Sequence, residues 1–307
     1  MSSETGHSDL WAALSSQTAD LAEQAGKAVV AIQAEHRVAA SGVHWRAGVV
    51  VTAAHLVRRA EQVSVLLPGG TTATGTLGGR DATTDLAIVK IKGENNLAIL
   101  PSTASPRLGE FVLAVARSGR GELSASAGIV SRVGGRWQTW RGGEVDRLLR
   151  PDVRLYPGQS GSALVNGRGE LLGVNSVVLA RESVITLPVE TVDRVVDELL
   201  ERGHIAQPYL GIAIQPVPLP PEWQRTAATS QEHGLLVMHV QPDGPAKKAG
   251  ITLGDVIVSL DGEAVDGLRG LHQQLTKRHT GQGITVKLLR SGSVLESKIE
   301  LGDRPRR

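Results

Sequence analysis

Three short segments hold residue types that together could hydrolyse an acyl bond. In Tyr156-Pro157-Gly158-Gln159-Ser160-Gly161-Ser162-Ala163-Leu164-Val165, a serine stands between two glycines and runs into an apolar stretch. Glycines let the backbone turn sharply and approach another group closely. Such a turn lifts the Ser160 hydroxyl out of the chain and aims the N–H groups of Gly158 and Ser160 at one point. An acyl-transfer nucleophile with an oxyanion hole requires that arrangement. Taken alone, the segment reads equally well as a Gly/Ser turn joining two strands. A serine nucleophile needs a base, and the base an orienting acid. Of the nine histidines, His55 stands apart: Val49-Val50-Val51-Thr52-Ala53-Ala54-His55 ends an apolar strand in small residues, so the imidazole emerges with room around it. The other eight read as surface or internally satisfied side chains. For the acid, Thr83-Thr84-Asp85-Leu86-Ala87-Ile88-Val89 places Asp85 at the mouth of an apolar strand, where a carboxylate is costly unless hydrogen-bonded or near a charge. Asp81 is the rival, although Gly79, Arg80 and Thr83 around it suggest a turn.

The elements that must position these groups follow from composition and period. At 307 residues, two domains are the natural expectation. Apolar residues make up 41%, enough for ordinary cores, but there is one Phe and two Tyr, so Val, Leu, Ile and Ala must fill them. Thirty-six glycines suit a turn-rich β fold. A net charge of +2 gives no argument for nucleic acid or an anionic membrane as partner. The absence of Cys excludes disulfides, thiolate metal sites and Cys nucleophiles; no metal or cofactor is expected. No run approaches the roughly 18 apolar residues of a spanning helix, and Leu10–Leu14 is too short for a signal h-region. As written the chain reads as cytoplasmic, with a periplasmic or secreted location by another route as the alternative.

The period predicts a helix over 8–26, with Leu10, Leu14, Ala19, Leu21 and Ala25 on one face. Strands are expected at 28–33, 42–52, 62–67, 72–77 and 85–91, then at 111–116, 126–132, 146–150, 162–166, 171–176 and 183–187. Two groups of about six short strands suggest two small antiparallel barrels or one large sandwich. Residues 188–202 read as a helix, with Pro188 at its first position and Gly203 as its stop. A linker over 204–208 follows. Beyond it come strands at 209–215, 235–241, 256–260, 284–290 and 293–301, a short helix near 244–250, and an amphipathic helix over 268–279. Residues 216–233 read as a polar, Pro-rich excursion. This half is an independent α+β domain.

His55, Asp85 and Ser160 occur in the chain order of chymotrypsin-like serine proteases. The intervals of 30 residues (85 minus 55) and 75 residues (160 minus 85) fit one small barrel carrying His and Asp and a second carrying Ser. With Gly128-Ile129-Val130-Ser131, Gly169–Asn175, Tyr209-Leu210-Gly211-Ile212, Gly244-Pro245-Ala246, Ala249-Gly250-Ile251 and Gly254-Asp255-Val256-Ile257, the chain resembles the HtrA family of PDZ-bearing serine proteases over roughly residues 27–302. The resemblance implies a mainly β fold: a helical segment at 1–26, a double six-stranded antiparallel β-barrel at 27–203, a linker at 204–208 and a PDZ domain at 209–303.

It further implies that Ser160 is the nucleophile, His55 the base and Asp85 its orienting acid, with the N–H groups of Gly158 and Ser160 as oxyanion hole. Leu155 and Val178 would line the first specificity pocket and favour small or aliphatic side chains. Tyr209, Leu210, Gly211 and Ile212 would receive a peptide C-terminal carboxylate, the peptide lying beside the helix that carries Leu268, Leu271 and His272. Polypeptide substrates, peptide C-termini and a homo-oligomer, favoured as a trimer, are the implied partners. Departures exist. Ser162 replaces the family's second glycine after the nucleophile, Ala53-Ala54 replaces its usual Asn pair before the histidine, and the loop between the early strands is short. Residues 134–148, with Trp137, Trp140 and Arg147, read as either a surface loop or an activation loop.

Overall fold

In this computed structural model the described residues are 4–34, 39–58, 60–93, 97–103, 105–180, 183–206 and 208–303. The chain divides into two compact units, Met1–Ile205 and Ala206–Arg307. The connection between the first two strands, expected to be short, falls at 35–38, outside the described residues.

The first unit opens with α1 (Glu4–Gly26). Strands β1 (Val29–Gln33), β2 (Ala40–Arg46), β3 (Val49–Ala53), β4 (Gln62–Leu66), β5 (Thr72–Asp81) and β6 (Leu86–Ile91) follow, and close a barrel in the order β1-β2-β3-β6-β5-β4. The continuous apolar run expected as one strand over 42–52 is two: the chain reverses at Gly48, whose φ of 70° reflects the turn. Next come β7 (Phe111–Arg117), β8 (Leu123–Gly134), a small hairpin of β9 (Trp137–Gln138) with β10 (Glu144–Val145), β11 (Leu148–Pro151), β12 (Ala163–Asn166), β13 (Leu171–Ser176) and β14 (Ile185–Pro188). Six of these close a second antiparallel barrel in the order β11-β14-β13-β12-β7-β8.

Many strands are apolar on both faces for a physical reason. One face of each fills its own barrel: Val30, Ile32, Val50, Ala87 and Val89 in the first, Val112, Ala114, Leu149 and Leu164 in the second. The other face, with Val29, Val51, Leu86, Ile88, Leu113, Val115, Ala163 and Val165, enters one large cluster common to both barrels. Helix α2 (Val189–Arg202) adds Val192, Val195, Val196 and Leu199 to it. Pro188 is not the first helical residue but the extended cap that ends β14; Gly203, left-handed at φ 73°, returns its N–H to the Leu199 carbonyl as expected. The apolar face foreseen along the first helix is half used. Leu21 and Ala25 pack on the common cluster, whereas Leu10, Trp11 and Leu14 are exposed.

In the second unit, β15 (Pro208–Tyr209) pairs with β22 (Gly302–Asp303). The main sheet has the order β16-β17-β18-β20-β21, from β16 (Ile212–Pro218), β17 (His233–Val240), β18 (Val256–Leu260), β20 (Gly283–Arg290) and β21 (Ser293–Glu300), with β19 (Glu263–Ala264) paired to β18. Helices α4 (Pro245–Lys248) and α5 (Leu268–Thr276) carry Ala246 and Leu271 into one core with Leu235, Val237, Ile257 and Leu288. The stretch expected to be a polar excursion holds two elements. The edge strand β16 runs on through Pro216 to Pro218, and α3 (Pro221–Ala227) places Trp223 and Ala227, four apart, against Val256, Val258 and Leu289. Proline and polar residues hide both, because an edge strand tolerates Pro and a one-faced short helix needs few apolar residues.

Candidate active site and peptide-binding edge

The turn that carries Ser160 lies between β11 and β12 and is fastened from within. Tyr156 N–H donates to Gln159 Oε1 (2.7 Å), Gln159 Nε2 to Ser124 Oγ (2.7 Å) and Gln159 N–H to the Tyr156 carbonyl (3.0 Å). Gly161 N–H donates to the Asn175 carbonyl (2.8 Å) and Ser162 N–H to the Gln159 carbonyl (3.2 Å). Two N–H groups are left over. Among the described residues, neither Gly158 N–H nor Ser160 N–H has an acceptor. The carbonyls of the same two residues point the other way, both accepting from Ser41 N–H on β2, at 3.0 and 3.2 Å. Gly158 has φ 87°. Gly161, also at φ 87°, lies so close to β2 that a Cβ would be 2.1 Å from the Ser41 carbonyl oxygen. The glycine is there because the first barrel's backbone is in the way of anything larger.

His55 enters from a single helical turn, Ala54–Leu56, that follows β3. Asp85 precedes β6, and β3 and β6 are paired, so the two side chains meet where the strand pair ends. His55 Nδ1 is 2.9 Å from each Asp85 carboxylate oxygen, and His55 N–H donates to Oδ1 (2.9 Å). Ser176 Oγ donates to Oδ2 (2.6 Å). Asp85 is 1% exposed and holds a left-handed φ of 61°, which Asp adopts more readily than most residues. The donors around it satisfy this buried carboxylate's oxygens, with no Lys or Arg paired to it among the described residues. Because a carboxylate only accepts, Nδ1 is the protonated nitrogen of the neutral ring and Nε2 keeps its lone pair. Asp81, the rival acid, shapes the turn instead: its oxygens accept from the N–H and hydroxyl of both Thr83 and Thr84.

Ser160 is 2% exposed, and its Oγ accepts from Val177 N–H at 3.3 Å. Among the described residues no hydrogen bond joins Ser160 Oγ to the His55 ring. The end of β13 and the residues after it touch two of the three: Ser176 holds Asp85 and Val177 reaches Ser160, while Val178 offers its carbonyl to Trp140 Nε1 (3.3 Å). Trp140 is largely exposed, with the Arg141 guanidinium 4.4 Å from its ring. The loop carrying Trp140 is also tied to the turn before Asp85, through Thr139 Oγ1 to the Thr83 carbonyl (2.7 Å). Leu155 packs on the second-barrel cluster, while Val178 is half-buried beside Trp140. Ser162 has a clear use here. Its hydroxyl accepts from Asn175 Nδ2 (3.1 Å), and Asn175 Oδ1 accepts from Thr186 Oγ1 (2.7 Å), so three buried polar groups, just before β12 and on β13 and β14, are linked together.

Sequence reasoning passed over Ser41, Ser176 and Gln159. Each is a polar residue whose role depends on at least one partner distant along the chain. The one available signal was the polar pair Asn175-Ser176 at the end of a predicted strand that begins apolar.

In the second unit, the Tyr209–Ile212 loop is pinned by its carbonyls. Ala246 N–H donates to the Leu210 carbonyl (2.9 Å) and Gln241 N–H to that of Gly211 (2.8 Å). Tyr209 Oη also bonds Gln241 Oε1. Gly211 is left-handed at φ 80°, and among the described residues the N–H groups of Leu210 and Gly211 have no acceptor. Ile212 begins the sheet's edge strand and packs on the core that contains Leu271. Leu268 is 53% exposed and His272 is exposed. Elsewhere, no group of three His, Asp or Glu converges as a metal-binding cluster, and no helix is long and apolar enough to cross a membrane, among the described residues.

Comparison with known proteins agrees with both halves. Residues 40–174 match the trypsin-like peptidase domain model, and 208–301 the PDZ domain model. The chain is 30% identical over 276 residues to a serine protease Do-like HtrA of Lactobacillus helveticus, covering 83% of this chain and 65% of that protein. It is 29% identical to serine endoprotease DegS of Escherichia coli (strain K12), covering 89% and 79%. Against a DegP-like protein of Halomonas elongata it spans about half the relative's length, 55%. Among solved structures, the HtrA-type protease AlgW with a decapeptide superposes with TM-score 0.67 at 25% identity, over 94% of this chain and 99% of that one. The serine endoprotease from Yersinia pestis gives 0.66 at 28%, over 93% and 98%. With two closed barrels, a PDZ-type sheet after them and these relatives, the chain belongs to the HtrA family of trypsin-like, PDZ-bearing proteins.

Proposed function

We propose that this chain is a serine endopeptidase that cleaves unfolded or damaged polypeptides, in protein quality control. The observation that carries the reading is the pair of unengaged N–H groups, Gly158 and Ser160, on the same turn as a buried serine, with a His55–Asp85 couple at the adjoining strand end. In this reading His55 Nε2 takes the Ser160 proton as Oγ bonds the scissile carbonyl carbon. The two N–H groups receive the resulting oxyanion, a contribution of about 3 kcal/mol for a single donor in such a site. Asp85, held by Ser176, keeps the ring oriented and stabilises the imidazolium. His55 then protonates the departing amine. Water, losing a proton to Nε2, attacks the acyl group, and Ser160 recovers its proton.

Leu155 and Val178 are proposed as walls of the first specificity pocket. Tyr209, Leu210, Gly211 and Ile212, with Leu268, Leu271 and His272, are proposed as the site for a peptide C-terminus in a PDZ domain spanning 209–303. The protease domain is proposed as 27–203, with assembly as a homotrimer. Rapid covalent labelling of Ser160 by a fluorophosphonate, and loss of casein degradation in Ser160→Ala, test the mechanism; a Ser160→Ala protein that still degrades casein overturns it. One observation favours a second reading, a PDZ-bearing binding protein with a resting triad: Ser160 Oγ takes its hydrogen bond from Val177 rather than giving one to His55. Failure to label, with peptide binding intact, selects that reading.

A further inference from the structure

The edge strand of the second unit sets how much of a peptide this protein can read. β16 is the sheet's outer strand and pairs only with β17 within the sheet order. In an antiparallel strand successive residues turn their N–H and C=O alternately towards the partner and away from it. Two bonds fix which residues face which way. The Gly211 carbonyl accepts from Gln241 N–H at 2.8 Å, and Leu219 N–H donates to the Glu232 carbonyl at 2.8 Å. Both are odd-numbered. The register irregularity near Ala213/Ile214 skips Met238 on β17, so β16 keeps its alternation. Residues 211, 213, 215, 217 and 219 face β17. Ile212, Ile214, Pro216 and Pro218 face outward, where an added strand would lie.

The two prolines therefore stand on the open edge. Ile212 and Ile214 each offer a donor and an acceptor; Pro216 and Pro218 offer a carbonyl and, in place of the donor, a ring. A row of free N–H groups along a sheet edge is what lets a peptide add as a further strand, and proline is a standard way to blunt it. Here the blunting begins at Pro216, two residues past Ile214.

We propose that this edge reads only the last three or four residues of a polypeptide chain, because Pro216 ends the backbone ladder. The proposal rests on the reading of Tyr209–Ile212 as a site for a C-terminal carboxylate. With the carboxylate at the Leu210 and Gly211 N–H groups, the terminal residue lies opposite Ile212 and the third from the end opposite Ile214. The fifth from the end meets Pro216, finds no donor and faces the ring. Upstream sequence then gains no paired backbone bonds, and recognition depends on a short tail that many unrelated chains can carry.

Isothermal titration of the full chain, as Ser160→Ala to prevent cleavage, tests this with nested peptides of three, four, five and seven residues sharing one aliphatic C-terminus. Affinity is expected to level off by four residues, with five and seven within about twofold of it. Pro216→Thr restores a donor; the heptapeptide should then bind about three- to tenfold tighter and the tripeptide unchanged. A steady wild-type gain of tenfold or more from four residues to seven overturns the truncation. So does a Pro216→Thr protein, folded by circular dichroism, in which the heptapeptide gains nothing. C-terminally amidated peptides separate the two layers. If amidation leaves binding unchanged, or no peptide binds, the carboxylate reading falls and this proposal with it. If amidation abolishes binding yet length keeps adding affinity, only the truncation falls.

Discussion

The candidate nucleophile turn and the proposed peptide edge use the same backbone device to opposite ends. Each has a left-handed glycine, Gly158 at φ 87° and Gly211 at φ 80°, beside N–H groups that have no acceptor among the described residues while the neighbouring carbonyls are bonded. Around Ser160 the remaining donors of the turn are used, the carbonyls are gripped by Ser41 from the other barrel, and the serine is buried. Around Gly211 the flanking side chains Leu268 and His272 are exposed, and the strand that follows is an open edge. Stabilising a transition state needs donors that do not move when charge develops. Admitting many chain ends needs an edge that stays accessible and is limited in length. On the proposed reading, identical local chemistry serves catalysis in one place and recognition in the other according to what restrains it.

The strongest way to break the contrast is at the rigid end. Asp85→Asn should lower kcat/KM for a short ester or peptide substrate by on the order of 10⁴-fold, through the wrong ring tautomer, with little change in peptide binding by the second unit. Steady-state kinetics beside peptide titration reads both, and a loss of both together would merge the two sites into one. Next, Gly161→Ala drives a methyl into the Ser41 carbonyl at a backbone conformation alanine resists. It should cost about 2–4 kcal/mol in the first unit and abolish fluorophosphonate labelling. Gly211→Ala is the matched change at the open end. The same left-handed strain, with Gly244 Cα only 3.1 Å from the new methyl, costs about 1–2 kcal/mol. It should weaken peptide binding while labelling of Ser160 continues at the wild-type rate; slowed labelling would show that the restraint is shared.

The smallest effect concerns pH. Burial pushes the Asp255 carboxyl up, but the Arg290 guanidinium at 2.8 Å and the Thr252 N–H outweigh it and hold its pKa below the ordinary carboxylate range. A depressed folded pKa adds stability at pH values above the unfolded pKa, near 4, and loses it as pH falls through the folded value. Thermal melts of the second unit should therefore hold from neutrality to about pH 5 and fall below pH 4. Arg290→Met should lower stability at pH 7 by about 1–2 kcal/mol, since Arg290 is partly exposed. An unchanged melt at both ends of that range would remove Asp255 from the account.

Much of the fold was legible because its strands are short, apolar and bounded by Gly, Pro and polar clusters. The candidate triad was legible because each member stands where a regular element ends. What escaped was non-local. Nothing near Ser41 in sequence announces that its N–H will hold Gly158 and Ser160, some 120 residues on (160 minus 41 is 119). The split of 42–52 into two strands was masked because both faces of β2 and β3 are buried, which erases the alternation that marks a boundary. Pro216 and Pro218 read as a loop signal and proved to be edge-strand residues, since a missing donor costs nothing where it faces away from the sheet. Leu10 and Leu14 obeyed the helical period without being covered, because periodicity reports a face and says nothing of what lies against it.

The strands that are apolar on both sides have a thermodynamic corollary. Val50 and Val51, adjacent on β3, serve different clusters, one inside a barrel and one common to both barrels and α2. Neither barrel can melt without exposing the other's share of that common cluster. The first unit should consequently lose its structure in a single all-or-none event, its calorimetric and van't Hoff enthalpies agreeing. Slow amide exchange should extend evenly across β3, β6, β7 and β12 rather than dividing at the midpoint between barrels.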